Sequence, residues 1–172
     1  YFTRAGAVAA QYCARWDGSA WSAMSADTRA GIGALAVWDD GTGETLWAAG
    51  GDLLRWNGTS WTRSGYINGS ALALLPFDDG TRSRLIVAGY FSGVEAPDTL
   101  DIAAFDGRSW SALPGGPRYG GVLALAVFGD APERKLVAGG YFETLAAGGQ
   151  ADHLAIWDGT AWETVRTAEL NG

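Results

Sequence analysis

The chain has 172 residues, of which 48% are hydrophobic, with 9 Trp, 6 Tyr, 6 Phe and 26 Gly, and a formal net charge of −7. Among its 12 basic residues only Lys135 is a lysine and none are clustered, so the surface that neutralises phosphate is missing and nucleic acid and anionic membranes are excluded as partners. The lone Cys13 and lone His153 leave no disulfide within the chain and no Cys- or His-based metal centre, and no apolar run reaches the roughly 18 residues that cross a bilayer.

In chain order, the first signal is "RWDGSAW" at 15–21, which returns as "RWNGTSW" at 55–61, "AFDGRSW" at 104–110 and "IWDGTAW" at 156–162. Between these copies lie three similar apolar segments: "ALAVWDDGTGETLWAAGG" at 34–51, "ALALLPFDDGTRSRLIVAGYF" at 71–91 and "ALAVFGDAPERKLVAGGYF" at 124–142. Trp16, Trp56, Phe105 and Trp157 are separated by 40, 49 and 52 residues, so the unit is about 40 to 50 residues long and its length changes in one connection.

Each unit holds four short apolar runs separated by Gly, Asp and Pro, none long enough for a stable helix. A four-stranded antiparallel meander follows. Such a sheet is apolar on both faces and needs neighbours to cover it, and at this repeat length radial stacking gives a β-propeller. The expected fold is all-β, a propeller segment with a partial blade at 1–33 and blades at about 34–70, 71–121 and 122–172. Tyr1 and Phe2 match the aromatic pair at 90–91 and 141–142, so the first blade is expected to hold only its last two strands. About three and a half blades do not close a ring. The expectation is therefore a piece of a longer propeller, or closure by association with other chains.

The pairs Asp17-Gly18, Asn57-Gly58, Asp106-Gly107 and Asp158-Gly159 are those a type I′ two-residue hairpin favours. That turn would set Trp16 opposite Ser19 and Ala14 opposite Trp21, with Trp16 and Trp21 diagonal on one face. The same holds for Trp56 with Trp61, Phe105 with Trp110, and Trp157 with Trp162, and because recurrence at one blade position is what core packing demands, the repeated tryptophans are expected in the core. On the other face stand Cys13, Leu53, Ile102 and Leu154, so Cys13 is expected to be a buried core thiol rather than a reactive one. Trp47 has the aliphatic equivalents Ile86 and Val137 and is also expected in the core.

The order "LVAGGYF…LAIWDGTAWETV" at 136–165 resembles a Kelch-type blade. It is more similar still to the extracellular propeller repeats of fungal Rax-type cortical markers and of related bacterial secreted proteins. The residues carrying the resemblance are Gly139, Gly140, Tyr141 and Phe142 with Ala155, Trp157, Asp158, Gly159 and Trp162, and again Ala14 to Gly18 with Trp21 and Ser22. The resemblance covers essentially the whole chain. It implies an extracellular or cell-surface scaffold and brings no catalytic residues. Two departures suggest altered geometry: residues 89–91 show one glycine before the aromatic pair, and 50–52 lack the pair.

The turns "WDDGTGE" and "FDDGTRS" make Asp39, Asp40, Asp78 and Asp79 candidate calcium ligands, but the alternation of an EF-hand is absent and a hairpin-turn role accounts for them. No Ser-His-Asp set or phosphate loop is present, and the Gly31–Gly33 pair precedes a strand, so no cofactor and no enzyme activity are expected. Asn57 and Asn68 begin glycosylation-type triplets, the first explained by its turn. The functional expectation is a non-enzymatic scaffold that binds a protein partner or self-associates through the variable loops 3–11, 92–101 and 143–152. A carbohydrate-binding propeller is the alternative, and a glycosidase or lyase a distant third.

Overall fold

Apolar runs of four to eight residues, rich in Val, Ile, Leu and aromatics and punctuated by Gly and Asp, are satisfied by pairing edge to edge in antiparallel ladders. A computed structural model describes residues 2–24, 31–130 and 133–165. The described chain is all-β, and its strands form several antiparallel sheets. Tyr1 and residues 25–30, part of the partial blade expected at 1–33, and residues 131–132 and 166–172, expected within the last blade, lie outside the described residues.

A short hairpin comes first, β1 (Arg4–Ala5) with β2 (Val8–Ala9), followed by the first copy of the motif, β3 (Ala14–Trp16) paired with β4 (Trp21–Ala23). Next come β5 (Ile32–Asp39), β6 (Glu44–Gly50), β7 (Asp52–Trp56) and β8 (Trp61–Asp78), then β9 (Ser83–Val94), β10 (Ile102–Phe105) and β11 (Trp110–Ser111). These seven make one sheet in the order β11-β10-β9-β8-β7-β6-β5. The last meander joins β13 (Val122–Phe128), β14 (Lys135–Gly140), β16 (Leu154–Trp157) and β17 (Trp162–Thr164). Between them, β12 (Pro117–Arg118) pairs with β15 (Thr144–Leu145).

The seven-stranded sheet is two four-stranded meanders sharing β8. Residues 61–66 of that 18-residue strand pair with β7, and residues 67–78 pair with β9. The boundary expected between 70 and 71 therefore falls inside a continuous strand. The Asn68-Gly69-Ser70 stretch does not turn. Asn68 stays in the strand, and its side-chain amide donates to Ser92 Oγ at 2.7 Å.

The register repeats in detail. Residues 33, 72 and 123 are each bulged out at the same place in the first pair of strands, between the partners Ile32↔Gly50 and Ala34↔Ala49, Ala71↔Gly89 and Ala73↔Ala88, and Val122↔Gly140 and Ala124↔Gly139. Gly50, Gly89 and Gly140 are thus equivalent. A Cβ on any of them would run into a backbone carbonyl, that of Gly31, Ser70 or Gly121 respectively, so the ladder at this point closes only around glycine. The single glycine at 89–91 is consequently no departure, because Ala88 stands where Gly139 does and Gly89 where Gly140 does.

The core lies between the meanders. Ala34, Ala36, Trp38 and Trp47 of the first pack on Leu74, Leu85, Val87, Phe105 and Trp110 of the second. In turn Ala73, Leu75, Phe77, Ile86 and Ala88 of the second pack on Leu125, Val127, Leu136, Trp157 and Trp162 of the third. Each sheet is apolar on both faces for this reason. Trp47 is fully buried opposite Ala36, in the register place of Ile86 and Val137, and Cys13 is buried with its thiol pKa pushed up by burial.

Candidate binding surface

The repeated motif differs from the type I′ expectation in a way that corrects its register. Only the glycine of each pair takes a positive φ, between 98° and 105° in Gly18, Gly58, Gly107 and Gly159. The preceding Asp or Asn does not, and a type I′ turn needs both. Its side chain instead caps the loop. Asp17 Oδ1 accepts the Ser19 and Ala20 backbone N–H groups at 2.8 Å each, Asn57 those of Thr59 and Ser60, Asp106 those of Arg108 and Ser109, and Asp158 those of Thr160 and Ala161. Such side-chain capping is the alternative open to Asp and Asn in turns. The ladder then resumes with the aromatics directly opposed, Trp16↔Trp21, Trp56↔Trp61, Phe105↔Trp110 and Trp157↔Trp162, with ring centroids 5.3, 5.2, 4.9 and 5.5 Å apart. Backbone N–H donors hold the aspartate carboxyls below the usual range. Asp17 falls to about 2, chiefly through the Ala20 and Ser19 N–H groups, and Asp106 and Asp158 are lowered by the corresponding backbone donors.

The second aromatic of the motif also ties units together, which its spacing alone did not reveal. Trp61 Nε1 donates to the Met24 carbonyl at 2.7 Å, and Trp162 Nε1 to that of Leu113 at 3.3 Å. Met24 and Leu113 each lie three residues after the matching tryptophan of the preceding copy, so the contact repeats. Trp110 occupies the same place, with its indole edge against Gly65. Burial is not repeated: Phe105 and Trp157 are buried, whereas Trp16 is 50% exposed. The expectation that all four copies lie in the core is corrected for the first, where Trp16 and Trp21 are both exposed and Gly6 of the β1–β2 hairpin lies beside Trp21.

In a meander the turns after the first and third strands share one end, and the remaining connections share the other. At the first end sit the acidic turns. Asp39 Oδ1 accepts the Gly41 and Gly43 N–H groups at 2.8 Å, and Asp78 Oδ1 that of Gly80 at 2.9 Å. Asp40 accepts from Thr42 and lies 3.3 Å from Arg55 Nε, while Asp79 accepts from Thr81 and Arg82 and pairs with Arg84 at 2.8 Å. Burial pushes Asp40 and Asp79 up, but the Thr42 and Thr81 donors with the arginines outweigh it, and Asp79 falls to about 2. The four carboxylates are committed to their own turns, and the described residues contain no group of three acidic, His or Cys side chains arranged for a cation.

The variable loops converge at the other end. Loops 92–101 and 143–152 meet the 113–118 connection around two adjoining clefts of about 490 and 540 Å³, which share Asp98, Leu100 and Arg118. Loop 3–11 does not join them and folds over β4 instead. Tyr12, Asp101 and His153 lie just before the third strand of their units with positive φ of 66°, 60° and 71°, and the N–H of each donates to the carbonyl of the earlier aromatic, Phe2, Phe91 or Phe142. Asp101 does more. Its buried carboxylate accepts the N–H groups of Phe91, Gly121 and Gly120, although burial still pushes its pKa up. One carboxylate thereby ties the end of β9 to the start of β13. Comparison of the chain with protein-family models, with curated proteins and with solved structures gives no match in any of the three.

Proposed function

We propose that the chain is a non-enzymatic β-propeller scaffold of extracellular or cell-surface type, whose meanders are blades and whose stack continues onto a protein partner or a second copy. One observation carries the reading. Trp38, Phe77 and Phe128 occupy the same register place, the first two buried under the following unit and Phe128 49% exposed. Ala124 and Ala126 on the same face are exposed as well, whereas Ala34, Ala36 and Ala73 pack against the next unit. An apolar strand face that is covered twice and open once fits a repeat whose third face takes a further blade-like surface. The similarity of the motif to Rax-type extracellular repeats supports the setting.

Sedimentation velocity over a concentration series tests the reading. Association that Phe128→Ser weakens is the expected result. A monomer at every concentration, unchanged by Phe128→Ser, overturns self-association and leaves a foreign protein partner as the form of the proposal still to be met.

A further inference from the structure

At the loop end of the second and third meanders three tyrosines stand out of the surface: Tyr90 is 43% exposed, Tyr141 65% and Tyr119 77%. They form a ridge, because one short segment lies between them. Residues 119–121 carry Tyr119. The ring of Tyr90 rests on the backbone of Gly121, and Tyr141 donates its N–H to the Gly121 carbonyl at 3.2 Å while its own carbonyl lies against Gly120. Asp101 beneath accepts the N–H groups of Gly120 and Gly121 and of Phe91, the residue after Tyr90. The ridge is therefore fixed by backbone hydrogen bonds to a buried carboxylate.

Tyr119 sits there at a conformational cost, with φ of +58°, where a bulky L residue is disfavoured and glycine or asparagine is the usual occupant. Among the described residues no side chain hydrogen-bonds the hydroxyls of Tyr90, Tyr119 or Tyr141. Stability alone thus explains neither the residue type nor its exposure, and strain of this sort gathers at functional sites. Beside the ridge, Arg118 lines both clefts together with Asp98, and the two do not pair with each other. Asn68 and Ser92 add a further amide and hydroxyl to the second cleft.

We propose that this tyrosine ridge and the Arg118–Asp98 cleft bind an uncharged glycan. A pyranose ring has apolar C–H faces that lie on aromatic rings and hydroxyls that both donate and accept. The site offers both partners: Arg118 donates only, and Asp98 accepts only. The net charge of −7 disfavours polyanionic sugars. A protein ligand would draw on a dry apolar centre, whereas the second cleft sets polar Asn68, Ser92, Glu95 and Asp98 among apolar Val94, Ala96, Pro97 and Leu100. The site lies away from Phe128 and does not depend on the scaffold reading.

The test is a printed panel of neutral oligosaccharides (glucans, mannans, galactosides and chitooligosaccharides) with acidic glycans alongside, followed by calorimetry of the strongest hit. The expected result is binding of a neutral oligosaccharide, weakened roughly tenfold or more by Tyr119→Ala, Tyr141→Ala or Arg118→Met and kept by Tyr119→Phe. Tyr119→Gly separates a ligand role from a structural one, since it relieves the positive φ and should raise the melting temperature while abolishing binding. No binding of neutral glycans at millimolar concentration, binding of acidic glycans or of peptides alone, or an affinity indifferent to Tyr119 and Tyr141 would overturn the proposal. Oligomeric state, read separately, tells its failure from that of the scaffold reading.

Discussion

The first and third copies of the motif, Trp16-Asp17-Gly18 to Trp21 and Phe105-Asp106-Gly107 to Trp110, share one local structure and two fates. Both loops are capped by the acid's side chain, both oppose their aromatics, and the ring pairs are 5.3 and 4.9 Å apart. Yet Trp16 and Trp21 face solvent while Phe105 lies against Trp38 and Trp47 of the preceding unit. The turn is thus a property of four adjacent residues. Burial is a property of what the neighbouring sheet brings.

The comparison breaks hardest on truncating the aromatics. Phe105→Ala removes a fully buried ring among Trp38, Trp47 and Trp110 and should cost about 3–5 kcal/mol in a denaturant titration. Trp16→Ala, at a half-exposed ring, should cost under about 1 kcal/mol. Equal losses would show that Trp16 is covered in solution.

A second pair of look-alikes sharpens the same point. Gly139 and Gly140 are adjacent and identical, but a Cβ at Gly139 meets only ordinary contacts, with the His153 carbonyl and the Leu154 side chain at 3.9 Å, and one at Gly140 meets the Gly121 carbonyl. Gly140→Ala should cost roughly 2–4 kcal/mol, and Gly139→Ala should be neutral or stabilising by about 0.5 kcal/mol. Thermal melts of the two variants decide it.

The smallest effect is on acid stability. The Asp79 carboxyl, lowered to about 2 from 3.8, stabilises the fold above its unfolded pKa, and that contribution is lost as pH falls through the window between the two values. Melting temperature should hold from neutral pH to about pH 5 and drop by pH 2.5. In Asp79→Asn the drop should shrink; an unchanged acid limb would mean that the turn carboxylates contribute nothing to it.

Much of the architecture was legible because it is local. Recurrent Asp-Gly and Asn-Gly pairs, short apolar runs and the doublet before Tyr141-Phe142 are written within a few residues of one another. The hairpin register was misread for an instructive reason. Asp-Gly suits a type I′ turn by backbone preference, but an Asp side chain with N–H groups two and three residues on can cap the loop, and that capping moves the partner of Trp16 from Ser19 to Trp21. The variable loops 92–101 and 143–152 were expected contact segments, and they do share a cleft. The exposed Tyr119 beside Arg118 was not anticipated, because in the sequence a tyrosine next to two glycines reads as an ordinary turn.

The sequence by itself determined an all-β chain of repeated antiparallel meanders, its turn residues and its alternation of buried and turn-forming positions, since these follow from backbone preferences and hydrophobic spacing over short distances. Only the tertiary structure decided which copy of the motif is buried, that β8 runs unbroken from one meander into the next, and that Asp101 binds the backbone beneath three tyrosines from separate segments of the chain. Those outcomes depend on groups far apart in sequence competing for the same surface and the same hydrogen bonds, and no local pattern records which of them meet.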